Sequence, residues 1–145
     1  MPEVKGKTVS EVRVGLLGLG TIGIGVARIL IEQQELMNRR LGKTVRLVAA
    51  ADRDLTTDRG LDLSGIRLSD DANEIVTADD IDLVVELIGG YEPARTFVAT
   101  AIEHGKHAVT ANKALIAKHG EELFPFWPSP RRPAELPRRK AAVFR

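Results

Sequence analysis

The sequence predicts an α/β protein with a doubly wound parallel sheet, and three observations lead to that prediction. Short apolar runs, typical of strands buried on both faces, alternate with segments of helical period. Successive strands are separated by helices and therefore need crossover connections, which parallel pairing requires. The alternation continues to Phe124, and 145 residues fit one domain with its own core.

The first half of the pattern contains two strands and a long helix. The run 12–17, VRVGLL, shows almost no polar alternation and predicts a buried strand. Apolar residues then recur at helical spacing from Ile22 to Leu41, and Gly42 stands where a helix is expected to end. TVRLVAAADRD predicts a second buried strand that ends near Asp52, and a polar loop follows it.

The second half contains shorter elements. IRLS predicts a third strand, ANEIVTAD a short helix, and IDLVVELIGG the clearest strand of the chain. PARTFVATAIEHG places its apolar side chains on one helical face and ends at Gly105. KHAVTA predicts a fifth strand and KALIAKHGEELF a last helix.

Gly18, Gly20 and Gly23 have the spacing G-x-G-x-x-G between the first predicted strand and the first helix. In that context the spacing is typical of a Rossmann-type dinucleotide-binding fold. Gly18 makes the tight turn, Gly20 leaves room for a pyrophosphate, and Gly23 lets the helix pack close to the strand. The amides of Thr21 and Ile22 then bind the phosphates at the helix N-terminus. The alternative interpretation is a glycine-rich packing turn.

Two charged residues at the end of the second predicted strand are candidates for contacts with the adenosine ribose. Asp52 can accept hydrogen bonds from ribose hydroxyls, which favours NAD. Arg53 can instead pair with the 2′-phosphate of NADP or stack on adenine. The alternative for Arg53 is a solvated loop charge. Because the two signals conflict, we expect a protein that uses both NAD and NADP.

Three segments resemble the N-terminal region of homoserine dehydrogenase: GLLGLGTIGIGV, IDLVVELIGGYEPA and HAVTANKALIAKHGEELF. The resemblance runs in order from Val12 to Phe124, and its TANKA and VVELIGG motifs are more specific than the glycine spacing. It implies an oxidoreductase that interconverts L-homoserine and L-aspartate 4-semialdehyde with NAD or NADP, in threonine and methionine biosynthesis. It also implies a family of homo-oligomers.

The resemblance assigns roles at the ends of the fourth and fifth predicted strands. Lys113 corresponds to the catalytic lysine of TANK, where an ammonium can stabilise charge on a carbonyl oxygen and exchange a proton. Thr110 is expected to face the nicotinamide ribose, and Gly89 and Gly90 leave room for the cofactor. For Glu86, an acid in an apolar strand, a buried ion pair with a basic group and a catalytic role both stay open.

The segment 125–145 departs from the pattern and from the family. It contains five of the seven prolines, so we expect an irregular tail after a domain that spans 1–124. The family continues after Phe124 with another strand, a substrate domain and the dimer interface. We therefore expect a truncated chain that is inactive alone, with a sheet incomplete at its C-terminal edge. The composition of the tail is typical of GC-rich coding sequence translated in a shifted frame, or of a lineage-specific extension.

Composition excludes several classes of function. The chain has no cysteine, which excludes disulfide scaffolds and thiolate chemistry, and His104, His107 and His119 lack a convincing metal-ligand partner. The net charge of +1 divides into an acidic body and a basic tail, and an acidic body argues against nucleic acid as a partner. With no signal-peptide core and no membrane-length apolar run, we expect a cytoplasmic protein without membrane contact.

Two other functional interpretations stay open. One is a non-catalytic NAD(P)-binding module that regulates or senses, which fits the missing substrate domain. The other is a different two-domain dehydrogenase with the same fold. The TANKA motif favours the homoserine dehydrogenase lineage over both.

Overall fold

The computed structural model describes residues 10–123 and the backbone of 141–143. Its six strands form one sheet in the order β3-β2-β1-β4-β5-β6. All neighbouring strands are parallel, as in a doubly wound dinucleotide-binding fold, which confirms the predicted fold class. The strands are β1 Glu11–Leu17, β2 Thr44–Ala51, β3 Arg67–Ser69, β4 Leu83–Glu86, β5 His107–Thr110 and β6 Ala141–Val143.

The described helices are α1 Thr21–Glu32, α2 Gln34–Leu41, α3 Ala72–Val76, α4 Ala94–Glu103 and α5 Lys113–Leu123. The single helix predicted over 22–41 is divided at Gln33, whose φ of −108° and ψ of 15° interrupt it. Gly42 ends α2 with a φ of 63°, which glycine adopts without strain. Among the described residues, no helix has the length and apolar character needed to cross a membrane.

Apolar clusters cover both faces of the sheet. Successive side chains of a strand point to opposite faces, so neighbouring residues of β1 join different clusters. Leu17 packs with Ile75 of α3 and Ala101 of α4, and all three are fully buried. Leu16 packs on the other face with Ala27 of α1. Burial on both faces explains why the strands are continuous apolar runs.

The expectation that β5 is an uncovered edge strand is not met, because another strand pairs with it. Ala141–Val143 pairs in parallel with β5, with Ala142 opposite Val109. The prediction of an irregular tail and an incomplete edge is therefore wrong for these three residues. They follow the last proline, Pro137, so their amides are available to a ladder. The rest of the segment 125–145 lies outside the described residues.

Charged side chains form bonds at the edge of the sheet where the strands begin, which is here called the amino-terminal edge. Arg13 forms a two-point ion pair with Asp82, with an Nε–Oδ2 distance of 3.0 Å and an Nη2–Oδ1 distance of 2.9 Å. This hydrogen bonding lowers the pKa of Asp82. Lys106 is 4% exposed and donates to the carbonyls of Ala78 and Ile81, and burial lowers its pKa. These charges bind the protein's own groups and stabilise the edge where the strands begin, opposite the edge where the strands end.

Two glycines of α1 give a matched test of the packing at its start. A Cβ at Gly23 would lie 1.9 Å from the carbonyl oxygen of Gly18, whereas one at Gly25 would meet nothing within 4 Å. We expect Gly23→Ala to lower the free energy of unfolding by about 1–3 kcal/mol, because the helix must move away from the turn. Gly25→Ala should keep or raise it, since alanine favours helices by up to about 1 kcal/mol. Chemical denaturation measures both, and equal effects would contradict the close approach.

Candidate functional site

A cleft of about 470 Å³ opens at the edge of the sheet where the strands end, which is here called the carboxyl-terminal edge. β1 and β4 are neighbours whose following helices pack on opposite faces, and ligands bind to doubly wound sheets at such a switch point. The cleft contains four of the predicted site residues, and its lining residues Gly20 and Ile88 directly precede Thr21 and Gly89. Its lining residues are Gly18, Gly20, Ala51, Asp52, Arg53, Asp70, Asp71, Ala72, Leu87, Ile88, Glu92, Pro93 and Phe97.

The three motif glycines have three different surroundings. Gly18 has a φ of +95°, and its amide donates to the Ala51 carbonyl at 2.8 Å, which ties the turn to β2. A Cβ at Gly20 would meet no atom of the protein within 4 Å. Gly23 packs against the carbonyl of Gly18, so its close contact is with the turn itself. The open space over Gly20 fits a ligand that approaches the backbone.

The N-terminus of α1 begins at this open space. Its first hydrogen bond joins the Ile24 amide to the Gly20 carbonyl at 2.8 Å, so the amides of Thr21 and Ile22 have no partner within the helix. No side chain caps the helix, and no acidic residue lies in its first turn. The partial positive charge of the helix end is therefore available to an anion.

The Asp52 carboxylate is already engaged with the protein. It accepts hydrogen bonds from the amides of Leu19 at 2.6 Å and Asp54 at 2.8 Å. Its Oδ1 also lies 3.4 Å from Nη2 of Arg59. A carboxylate has about four acceptor sites, so about one is left for a ribose hydroxyl. The predicted role of Asp52 as a ribose contact stays a prediction.

Arg53 differs from Asp52 because it is free. It is exposed, lines the cleft, and forms no hydrogen bond or ion pair with a residue that the structure describes. A guanidinium needs no deprotonation or rearrangement to pair with a phosphate. Its position fits the predicted contact with a 2′-phosphate, which also stays a prediction.

Arg59 also holds the site together, although no sequence pattern points to it. Its Nε donates to the Leu19 carbonyl at 2.8 Å and its Nη2 to the Asp54 carbonyl at 2.6 Å. Its side chain is only 14% exposed. In the sequence it is one charge of a polar loop, and no local signal separates it from its neighbours.

The ends of β4 and β5 bring the other predicted residues together. Gly89 and Gly90 have φ values of 81° and 73°, and a Cβ at either would meet nothing within 4 Å. The Asn112 side chain donates to the Gly90 carbonyl and so joins the two loops. Lys113, the first residue of α5, is exposed and forms no bond with a described residue. A cation at a helix N-terminus opposes the helix dipole, so helix stability does not explain its position.

Thr110 and Glu86 are buried and bonded to each other. The Thr110 hydroxyl donates to Glu86 Oε2 at 2.6 Å, so its predicted contact with the nicotinamide ribose stays a prediction. The expected ion pair of Glu86 is not formed by any described residue. Its other partners are the amides of Ile88 and Gly89. These amides and the hydroxyl offset the desolvation that a basic group was expected to offset.

Within residues 10–123, no group of three or more histidine, aspartate or glutamate side chains is arranged to hold a metal ion. His104 Nδ1 lies 2.9 Å from the Thr100 carbonyl, and His119 lies 3.5 Å from Glu122. The cleft offers a ligand backbone amides, glycine backbone and the charge of Arg53, and four carboxylates also line it: Asp52, Asp70, Asp71 and Glu92.

Known proteins resemble this chain in sequence and in fold. Residues 18–126 match the family model described as homoserine dehydrogenase, NAD binding domain. The homoserine dehydrogenase of Methylobacillus glycogenes is 48% identical over 114 residues, which are 79% of this chain and 28% of that protein. The homoserine dehydrogenase of Neisseria gonorrhoeae is 46% identical over 114 residues, or 26% of its length.

The crystal structure of a homoserine dehydrogenase from Thiobacillus denitrificans has a TM-score of 0.73 and 47% identity, covering 80% of this chain and 27% of that one. The chain therefore spans little more than a quarter of the length of these relatives. The matched residues include the glycine turn, the cleft and the segment around Lys113. With the fold, the cleft and the matched sequence in agreement, the chain belongs to the family of homoserine dehydrogenase NAD-binding domains.

Proposed function

We propose that this chain supplies the NAD(P)-binding part of a homoserine dehydrogenase, an oxidoreductase that interconverts L-homoserine and L-aspartate 4-semialdehyde. Threonine and methionine biosynthesis is the pathway that this reaction serves, and the whole enzyme is a homo-oligomer. The observation that carries the proposal is the open space over Gly20, at an uncapped helix N-terminus that borders the cleft.

The residues of the cleft fit a nicotinamide dinucleotide. The backbone at Gly18 and Gly20 and the amides of Thr21 and Ile22 would hold the pyrophosphate, because they offer donors without side-chain bulk. Arg53 would pair with the 2′-phosphate of NADP, since it has no partner among the described residues.

Asp52 would lie at the adenosine end of the dinucleotide, and Gly89 and Gly90 at its nicotinamide end. The one acceptor site left on Asp52 would suit the adenosine ribose of NAD, so the site would accept both cofactors. Gly89 and Gly90 would border the nicotinamide end, where a side chain would otherwise fill the open space.

Lys113 is the residue that we assign to the chemical step. When bound, the reduced cofactor supplies the hydride that converts the aldehyde of L-aspartate 4-semialdehyde to the alcohol of L-homoserine. The Lys113 ammonium stabilises the charge that develops on the carbonyl oxygen and donates the proton that completes the alcohol. In the opposite direction the neutral amine accepts that proton. Its exposure at the carboxyl end of β5 leaves it free to reach a substrate oxygen.

The chain alone is expected to be inactive, so the reaction assignment is tested in a chimera in which it replaces the matching segment of the Methylobacillus glycogenes homoserine dehydrogenase. L-aspartate 4-semialdehyde and NADPH are added to this chimera, and the nicotinamide absorbance is followed. Oxidation of NADPH that is lost in Lys113→Ala supports the assignment. Binding of NADPH without any oxidation would favour the alternative, an NAD(P)-binding module that does not itself catalyse.

Gly20→Val tests the cofactor site without disturbing the fold. The backbone at Gly20 has φ −68° and ψ −165°, which other residues adopt, and a Cβ there meets no protein atom within 4 Å. We expect the variant to fold normally and to lose NADPH binding in a calorimetric titration, because valine would occupy the space over the turn. Gly25→Val is the control, since it is in open space on the same helix but outside the cleft lining. Equal affinity in Gly20→Val and the parent would place the cofactor elsewhere.

Arg53→Ala tests the choice between the two cofactors. A charge-assisted hydrogen bond contributes about 1.5–3 kcal/mol, so we expect NADP to bind roughly ten- to a hundredfold more weakly and NAD to change little. Parallel titrations with NADPH and NADH give the two ratios. Arg40→Ala, at an exposed arginine of α2, is the matched control for loss of one positive charge. Equal losses for both cofactors would mean that Arg53 does not contact the 2′-phosphate.

A further inference from the structure

Glu86 has no exposed surface, although it ends β4 beside the cleft. A side chain without exposed surface cannot touch a cofactor or substrate, so Glu86 does not act in the chemical step directly. Both of its oxygens accept hydrogen bonds. Oε1 binds the amides of Ile88 at 2.7 Å and Gly89 at 3.2 Å, and Oε2 binds the Thr110 hydroxyl at 2.6 Å. The carboxylate therefore connects the loop after β4 to the end of β5.

These bonds continue into a closed ring that includes the start of α5. The Thr110 hydroxyl accepts a hydrogen bond from the Asn112 amide at 2.9 Å. The Asn112 side chain donates to the Gly90 carbonyl and accepts from the Leu115 amide at 3.0 Å, which caps the helix. Lys113 follows Asn112 directly, so the ring fixes the backbone from which its side chain extends.

We propose that Glu86 is the positioning residue for the nicotinamide half of the site. Its amide bonds fix the loop that contains Gly89 and Gly90, both in the left-handed conformation. Its bond to Thr110 fixes the segment that leads to Lys113. The inference rests on the proposed function, because it requires a nicotinamide ring at this end of the cleft.

Glu86 positions only the part of the site that would bind the nicotinamide half of the cofactor. The adenosine side is held by a separate set of bonds among Asp52, Leu19 and Arg59, none of which involves Glu86. Replacing Glu86 should therefore alter contacts with the nicotinamide end and leave those with adenosine and pyrophosphate intact. General destabilisation of the protein would weaken both ends equally.

ADP-ribose and NADH separate these two possibilities, because ADP-ribose has the same adenosine diphosphate and second ribose but no nicotinamide ring. In calorimetric titrations of the full chain, we expect Glu86→Gln to bind NADH about tenfold or more weakly, and ADP-ribose within about twofold of the parent. Glutamine keeps the shape and one acceptor oxygen. Its other group is an amide NH2, which donates and cannot accept the hydrogen bond from Thr110.

Asn112→Ala provides a second variant if Glu86→Gln does not fold, because Asn112 is only partly buried and interrupts the same ring from its other side. It should show the same selective loss for NADH. Glu103→Gln, at an exposed glutamate of α4, is the control and should leave both affinities unchanged. Equal weakening of both ligands, or an unchanged affinity for NADH, would overturn the inference. A parent chain that binds neither ligand would refute the proposed function, and this inference with it.

Discussion

The site depends on one constraint, the parallel pairing of β1 with both β2 and β4. Parallel neighbours need crossovers, and the helix after β1 covers one face of the sheet while the helix after β4 covers the other. The chain therefore leaves the carboxyl ends of these two strands in opposite directions, and a cleft opens between them. The turn that begins α1 fits this gap because Gly18 adopts a positive φ and Gly23 packs on its carbonyl.

The two edges of the sheet use charge in different ways. At the amino-terminal edge, Arg13 pairs with Asp82 and Lys106 binds backbone carbonyls, so each charge is already satisfied by the protein. At the carboxyl-terminal edge, Arg53 and Lys113 have no partner among the described residues. Unpaired cations contribute little to folding, whereas they can bind an anionic ligand or a developing negative charge. Arg53 and Lys113 are therefore available to a ligand at the edge where the strands end.

The strands and the glycine turn could be predicted because their signals are local. Apolar runs indicate burial on both faces of the sheet. The glycine spacing indicates a tight turn, room for a ligand and close packing within six residues of sequence. The partners of Glu86 and Arg59 could not be predicted, because they are mostly backbone amides and carbonyls that only the fold brings near. The break at Gln33 lacks a glycine or proline to mark it. The pairing of Ala141–Val143 with β5 depends on a register between segments distant in the chain.

Asp52 and Glu86, on the two sides of β1, both accept hydrogen bonds from amides of a neighbouring loop. Asp52 follows β2 and accepts a hydrogen bond from the Leu19 amide, in the turn after β1. Glu86 ends β4 and accepts hydrogen bonds from the amides of Ile88 and Gly89, in the next loop. The amide donors offset the desolvation of both carboxylates and fix both loops before a ligand arrives. Loops that are already ordered lose little conformational freedom on binding, so less of the interaction energy is spent on ordering them. Asp52 and Glu86 thus act on the backbone, and the amides at the start of α1 and the free Arg53 remain available to an anionic ligand.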